Sequence, residues 1–290
     1  MKFGIVPINL REFTDPEMLI PFVQRAEALG YESVWTAEHV IIPKQYDSVY
    51  PYNPDGKLPF KSGAPIIDPL VALTFIAAAT KKLRLGTGVN ILPQMSPLYL
   101  AKWVSSIDHL SQGRLMLGLG IGWLREEFAA IGVPFERRGK RSNEYLEALK
   151  AVWTSEEVNY QGEFINWQGF SMRPKPAQPG GVPLVIGGIS QPAIRRTVKY
   201  GDGWYVIGKD PDDYRTHMQA LAEECERQGR VINELEITAY WNYYTEGLES
   251  LGVYEELGFH RLLVNMHALR AGDVTVAMER FAEQVIAKHG

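Results

Sequence analysis

KFGIVPINLRE, residues 2–12, begins with a short apolar strand, Lys2 to Pro7, and then turns through Ile8-Asn9-Leu10-Arg11-Glu12 without a glycine. A doubly wound dinucleotide-binding sheet wants a glycine-rich turn at this point, so that backbone can approach a pyrophosphate. Its absence favours the other way of joining parallel strands by crossover helices, a closed barrel. Outward from this strand, β-branched runs alternate with longer amphipathic stretches along the whole chain, which is the βα repeat of an α/β protein. Further strands are expected at Ser33–Thr36, Leu83–Val89, Arg114–Gly118, Pro183–Ile186, Gly203–Ile207, Leu235–Ala239 and Arg261–Asn265. Helices are expected from the cap Asp15 to Leu29, after the cap Asp68, from Ser96-Pro97 to Gln112-Gly113, and over Leu124–Ile131 and Arg141–Trp153. Four more follow at Gln191–Tyr200, Pro211–Gln228, Leu248–Leu257 and Asp273–Lys288. Caps and N1 prolines mark several starts. The count predicts a single (β/α)8 TIM-barrel domain over residues 1–290.

Two segments break the repeat. Val40 to Ile67 follows the second strand and is rich in Pro, Gly, Asp and aromatic residues, including Tyr46, Tyr50, Tyr52 and Phe60. It lies on the face where barrel enzymes build their sites, so it reads as a functional cover, the alternative being a disordered surface insertion. Glu156 to Gly181, after the fourth strand's excursion, reads as a hairpin with a Pro-rich return.

Composition narrows the function classes. The 290 residues are 46% hydrophobic and 22% charged, with a formal net charge of −4. Charges of both signs are interspersed, which argues against a nucleic-acid surface or a polybasic membrane patch and leaves a small-molecule substrate as the expected partner. The single cysteine, Cys225, excludes an intrachain disulfide framework or a cysteine-based metal site. The longest uncharged apolar stretch, Pro69–Thr80, is about half the length of a membrane helix, and the first ten residues lack the core and cleavage site of a signal peptide. A cytoplasmic enzyme with no membrane contact is the expectation.

The candidate chemistry collects at strand ends. Glu38-His39 closes the second strand, placing an acid and an imidazole where catalytic groups sit in barrels; capping or pairing with the next loop is the alternative. Thr87-Gly88-Val89 in the third strand puts glycine where a central strand prefers bulk, implying a bulge, a flat ligand against the backbone, or packing. Gly118-Leu119-Gly120-Ile121-Gly122-Trp123 only loosely resembles a nicotinamide fingerprint, yet it offers backbone amides beside an aromatic ring, unless it is merely a sharp turn. Gly187-Gly188-Ile189-Ser190 leads into a helix capped at Ser190, which makes an anion seat from free amides and the positive end of the helix dipole. The basic run Arg137-Arg138-Gly139-Lys140-Arg141 could meet a second anionic group or simply face solvent. His260 and His267 bracket the eighth strand, and either could face the site. No nucleophile elbow, metal-spaced cluster or P-loop occurs, so a cofactor is expected to perform the reaction.

Together these motifs resemble the luciferase-like monooxygenase superfamily, most closely its coenzyme F420-dependent oxidoreductase branch. The resemblance runs through Val34–His39, Leu85–Val89, Gly118–Phe128, Gly132–Gly139, Arg173–Pro176, Gly187-Gly188 and Gly201–Trp204. It implies a non-prolyl cis peptide at Gly88-Val89 that supports the central ring of a deazaflavin. It also implies His39 at the cofactor headgroup and Gly187 and Gly188 at its phosphate. Where the sugar-phosphate dehydrogenases of this branch carry a proton-donating glutamate, this chain has Trp123, which makes that activity unexpected. Glu38 stands where Asp is common.

The resemblance thus implies an F420-dependent oxidoreductase exchanging hydride with a small organic substrate beneath the 40–67 loop, usually as a homodimer. His39 and its partner Glu38 would be catalytic. Thr87, Gly88, Val89, Gly120, Gly122, Trp123, Arg138 and Gly187 to Ser190 would bind the cofactor with His39. The basic rim suits the anionic F420 tail better than FMN. A reduced-FMN monooxygenase and a silent cofactor-binding protein are the rivals.

Overall fold

The structure, a computed structural model, describes residues 1–266 and 273–290. In chain order its strands are β1 (Lys2–Ile5), β2 (Ser33–Thr36), β3 (Arg84–Thr87), β4 (Asn90–Ile91), β5 (Leu115–Gly120), β6 (Val158–Gln161) and β7 (Asn166–Phe170). β8 (Leu184–Gly187), β9 (Gly203–Val206), β10 (Glu236–Trp241) and β11 (Arg261–Val264) complete them. β1, β2, β3, β5, β8, β9, β10 and β11 run parallel, and the pairings β1 with β11 and β3 with β5 close the sheet into an eight-stranded barrel. The main crossover helices are α1 (Pro16–Ala28), α2 (Pro69–Ala79), α3 (Pro97–Ser111), α4 (Arg125–Ala130), α5 (Arg138–Thr154), α6 (Gln191–Tyr200) and α7 (Pro211–Gln228). The short α8 (Tyr243–Glu246) and α9 (Leu251–Glu256) follow β10, and α10 (Val274–Phe281) runs through a π turn into α11 (Ala287–His289). None of the described helices is long and apolar enough to cross a membrane.

Two apolar layers hold this together. The larger one lies between sheet and helices, and a separate inner cluster of Val6, Trp35, Met116, Val185, Tyr205 and Leu263 fills the barrel. Trp35 fits there because Gly86 has no side chain: a Cβ at position 86 would lie 2.3 Å from the Trp35 indole. Packing therefore explains this glycine of the third strand. Gly86→Ala is expected to cost about 1–3 kcal/mol by overpacking, read as a lowered denaturant midpoint with an unchanged slope.

The end of the barrel where the strands begin is closed by Arg261, which is fully buried. Its guanidinium donates to Glu32 through Nε at 2.6 Å and Nη2 at 2.7 Å, to Glu236 at 3.0 Å and to Thr238 at 3.0 Å. Burial raises the Glu32 carboxyl, but the hydrogen bond and charge of Arg261 hold it below its usual value.

Several boundaries differ from the sequence reading. The third strand breaks after Thr87, where Gly88-Val89 is cis, and resumes as β4 against Leu119 and Gly120. That pairing carries β5 past Gly118 to Gly120. β10 likewise continues to Trp241 because Tyr240 and Trp241 pair with Leu263 and Val264. α5 starts at Arg138 rather than Arg141, just after Arg137 takes a left-handed φ of 58°. Residues 156–181 do form a hairpin, β6 antiparallel to β7, followed by a return that Asp108 pins with bonds from the Ala177 and Gln178 amides.

The glycine-free turn after β1 has its own task. The buried Asn9 side chain accepts from the Ala37 amide at 2.9 Å and donates to the carbonyls of Ala37 at 2.8 Å and Ile67 at 2.6 Å. It thereby gathers both ends of the 40–67 segment above the strand ends.

Candidate active site

A cavity of about 320 Å³ lies beyond the carboxyl ends of the strands, between the barrel and the 40–67 segment. Its floor is nearly all backbone. Gly88, Gly120, Gly122, Gly187 and Gly188 line it, with the Val89 side chain standing among them. A Cβ at Gly120 or Gly187 would come within 2.7 or 2.8 Å of the Val89 methyls, so both glycines are needed to seat the bulge. The result is a flat apolar platform suited to a planar heterocycle.

The wall on one side is His39. Its Nδ1 lies 3.2 Å from Glu127 Oε2, with only 9% and 2% of the two side chains exposed. Glu127 Oε1 accepts from the amides of Val40 at 2.7 Å and Ile41 at 3.2 Å, and Gln94 donates to Oε2 at 3.1 Å. Burial pushes the Glu127 carboxyl up, but these donors, led by His39, leave it below its ordinary value. The buried carboxylate therefore stays ionised and orients the imidazole, leaving Nε2 as the ring nitrogen available to the cavity. The His39 ring meets the edges of Phe60 and Trp123, each at 6.1 Å between centroids.

Glu38 is not the partner of His39. It accepts from the Asn90 side chain at 3.0 Å and from the Ile91 amide, so it fastens β4 beyond the bulge. Burial pushes its carboxyl up to about 8 against the pull of that amide. It borders the cavity as a mostly neutral acid at pH 7.

At the opposite end Ser190 caps α6, and its hydroxyl accepts from the Ala193 amide. Arg196, 7% exposed, closes this corner with Nε on Asn143 at 2.7 Å and Nη2 on the Gly139 carbonyl at 3.1 Å. Among the described residues no carboxylate pairs with it. A buried guanidinium without a counter-charge beside a ten-residue helix N-terminus is an anion seat.

Of the site residues expected from sequence, Glu38, His39, Gly88, Val89, Gly120, Gly122, Trp123, Gly187, Gly188, Ile189 and Ser190 all line this cavity. Thr87 does not. It is fully buried and donates to the Gly118 carbonyl at 2.7 Å, tying β3 to β5 behind the platform. Arg138 also stands behind the wall, with Nε on the Gly122 carbonyl at 3.0 Å and its guanidinium 3.7 Å above the Phe135 ring. The rest of the basic run is largely spent: Arg137 and Lys140 both pair with Glu163 of the hairpin. His260 accepts from the Ile237 amide at the start of β11, the far end of the barrel, and His267 lies outside the described residues.

Sequence reasoning missed Glu127, Arg196 and Tyr205 and gave Tyr50, Tyr52 and Phe60 only as part of the covering segment; all six line the cavity. A signal existed for one of them. Glu127 shares the buried face of its short helix with Leu124 and Phe128, an acid on an otherwise apolar stripe. Among the described residues no cluster suited to a metal ion occurs.

Known proteins share both sequence and shape with this chain. An uncharacterized protein of Mycobacterium tuberculosis is 36% identical, across 98% of this chain and 99% of that one. An FMNH2-dependent dimethylsulfone monooxygenase of Pseudomonas putida is 29% identical over 54% of this chain and 44% of its own length. An F420-dependent secondary alcohol dehydrogenase, solved with an F420–acetone adduct, superposes with a TM-score of 0.80 at 16% identity over 100% of this chain and 99% of its own. The luciferase-like monooxygenase family model matches residues 7–247, a span running from just after β1 through the whole cavity just described to the end of α8. The chain therefore belongs to the luciferase-like monooxygenase family.

Proposed function

We propose that this protein is an F420-dependent oxidoreductase that moves a hydride between the deazaflavin and a small organic substrate. The observation that carries the reading is the convergence of the Val89 platform, the His39–Glu127 pair and the Arg196–Ser190 corner on one cavity. These residues fit a tricyclic ring with an anionic tail: a flat floor of backbone around the Val89 side chain, and at the far end a buried cation with no carboxylate partner among the described residues. Bound there, the deazaflavin would supply the hydride-accepting or hydride-donating carbon.

The chain's own groups supply the rest. Val89 and the glycines around it would hold the ring, and Arg196 with the α6 amides would hold the phosphate. In the reducing direction the substrate carbon gains hydride and its oxygen takes the proton at His39 Nε2; oxidation returns that proton to His39. Glu127 fixes the ring orientation and balances the imidazolium. The 40–67 segment, with Tyr50, Leu58 and Phe60 inward, excludes water from the transfer.

The preference for F420 over FMN rests on the family branch that the motifs resemble and on the structural likeness to the alcohol dehydrogenase. The basic run lends it little support, since Glu163 neutralises two of its members. Titration of the purified protein with each cofactor tests the reading. Micromolar binding of F420 with weak or no binding of FMN is expected; the reverse would replace it with a reduced-FMN monooxygenase.

Glu127→Gln is expected to lower kcat about 10- to 100-fold with cofactor affinity nearly unchanged, because the amide keeps the acceptor for Val40 and Ile41 but removes the charge beside His39. Stopped-flow measurement of hydride transfer, alongside a cofactor titration, checks both parts.

A further inference from the structure

The roof of the cavity has a chemistry of its own. Tyr50 and Tyr52 of the 40–67 segment line it opposite the platform, and Tyr205 of β9 lines it from within the barrel. Tyr50 stands edge-on to Tyr52 at 5.5 Å and to Trp123 at 5.2 Å, so these rings form one aromatic wall. Among the described residues, none of the three phenol hydroxyls has a hydrogen-bond partner, yet Tyr205 is buried and the other two are half-buried. A phenol in an apolar wall normally finds an acceptor. Here the occupant of the cavity, solvent or substrate, supplies the acceptor.

Charge is confined to the other parts of the cavity. Its ionisable lining residues besides the tyrosines are Glu38, which faces Asn90 and Ile91, the His39–Glu127 pair, and Arg196 in the α6 corner. Among the described residues the roof carries no cation for an anionic substrate. Leu58, Phe60, Ile207 and Trp123 supply only apolar surface around the phenols. An anionic group placed there would lose its hydration with nothing in return, since ring faces repel it.

We infer that the substrate is a molecule without an anionic group, with an apolar, ring-sized body and an oxygen that accepts hydrogen bonds from the Tyr50 and Tyr52 hydroxyls, which thereby set specificity. This rests on the proposed hydride transfer at the same site, and it adds the substrate class and the residues that select it. Burial pushes the Tyr50 hydroxyl up to about 12 and raises Tyr52 as well, so both remain donors across the physiological range.

Binding to the cofactor-saturated protein tests it by ligand-observed NMR, using 4-methoxyacetophenone, a neutral aryl ketone with a second acceptor oxygen, and benzoylformate, an aryl ketone bearing a carboxylate. The neutral ketone is expected to bind at least about tenfold more tightly, and the Tyr50→Phe/Tyr52→Phe protein to lose about tenfold of that affinity, as two hydrogen bonds would give. The same double variant should keep its cofactor affinity and its melting temperature. Equal or tighter binding of benzoylformate, no binding of the ketone at about 10 mM, or an unchanged affinity in the double variant overturns the inference. Failure of both F420 and FMN to bind would instead sink the hydride-transfer reading itself, and the cofactor titration reports that separately.

Discussion

His39→Ala is expected to reduce kcat/KM by about 10²- to 10⁴-fold, the range over which positioned proton-transfer groups contribute. The loss should fall on kcat. Among the described residues His39 is the only imidazole lining the cavity, and its Nδ1 is committed to Glu127. Folding should survive, because the side chain meets Phe60 and Trp123 only edge-on and Glu127 keeps its bonds to Val40, Ile41 and Gln94. A near-normal melting curve and cofactor affinity with a collapsed hydride-transfer rate is the expected combination. Turnover within threefold of the unaltered protein would show that the proton moves by another route.

The second large effect concerns stability. Arg261→Met should cost about 3 kcal/mol at neutral pH, near the low end for removing one partner of a buried pair, since Glu32 and Glu236 keep some contact with water. The pH dependence has a definite sign. In the unaltered protein Arg261 holds Glu32 below its ordinary value of 4.5, so the pair stabilises fully above that pH and loses its contribution as pH falls through the lowered folded value. Without the guanidinium, burial of Glu32 is opposed only by the Ser33 hydrogen bond and the charge of Arg84, so its carboxylate is stabilised far less where the unfolded chain would ionise. The deficit of the variant should therefore be large at pH 7 and shrink on acidification below about pH 4. Urea unfolding at both pH values measures it; an equal deficit at each would mean that lost packing against Trp35, 5.6 Å from the guanidinium carbon, dominates instead.

The barrel was legible because periodicity is a local property. Each short β-branched run followed by a capped amphipathic stretch announces one βα unit, and a glycine-free first turn leaves little room for the doubly wound alternative. The platform was legible for the same reason: Gly88, Gly120 and Gly187 stand at strand ends, where a bulky residue would be expected if no backbone approach were needed. Pairings were not. Glu38 and His39 adjoin in sequence, but successive side chains of an extended segment point to opposite sides, so one faces β4 while the other meets α4. Glu127 reads as one of several charges opening a helix until the fold brings it under Val40. The basic run could have met an anion or solvent, yet Arg137 finds Glu163, a partner on the hairpin that no local pattern connects to it. The cation that does reach the cavity, Arg196, lies within an ordinary helical stretch.

Two adjacent glutamates at the start of α4 do unlike work with like bonds. Glu126 accepts from the Asp47 and Ser48 amides and the Ser48 hydroxyl, while Glu127 accepts from Val40, Ile41 and His39. The clasp that shuts the door is thus also the trigger guard of the proton carrier. One carboxylate serves two ends: Oε1 anchors the root of the segment through Val40 and Ile41 while Oε2 steers the imidazole, so covering the cavity and aiming His39 are a single act of folding.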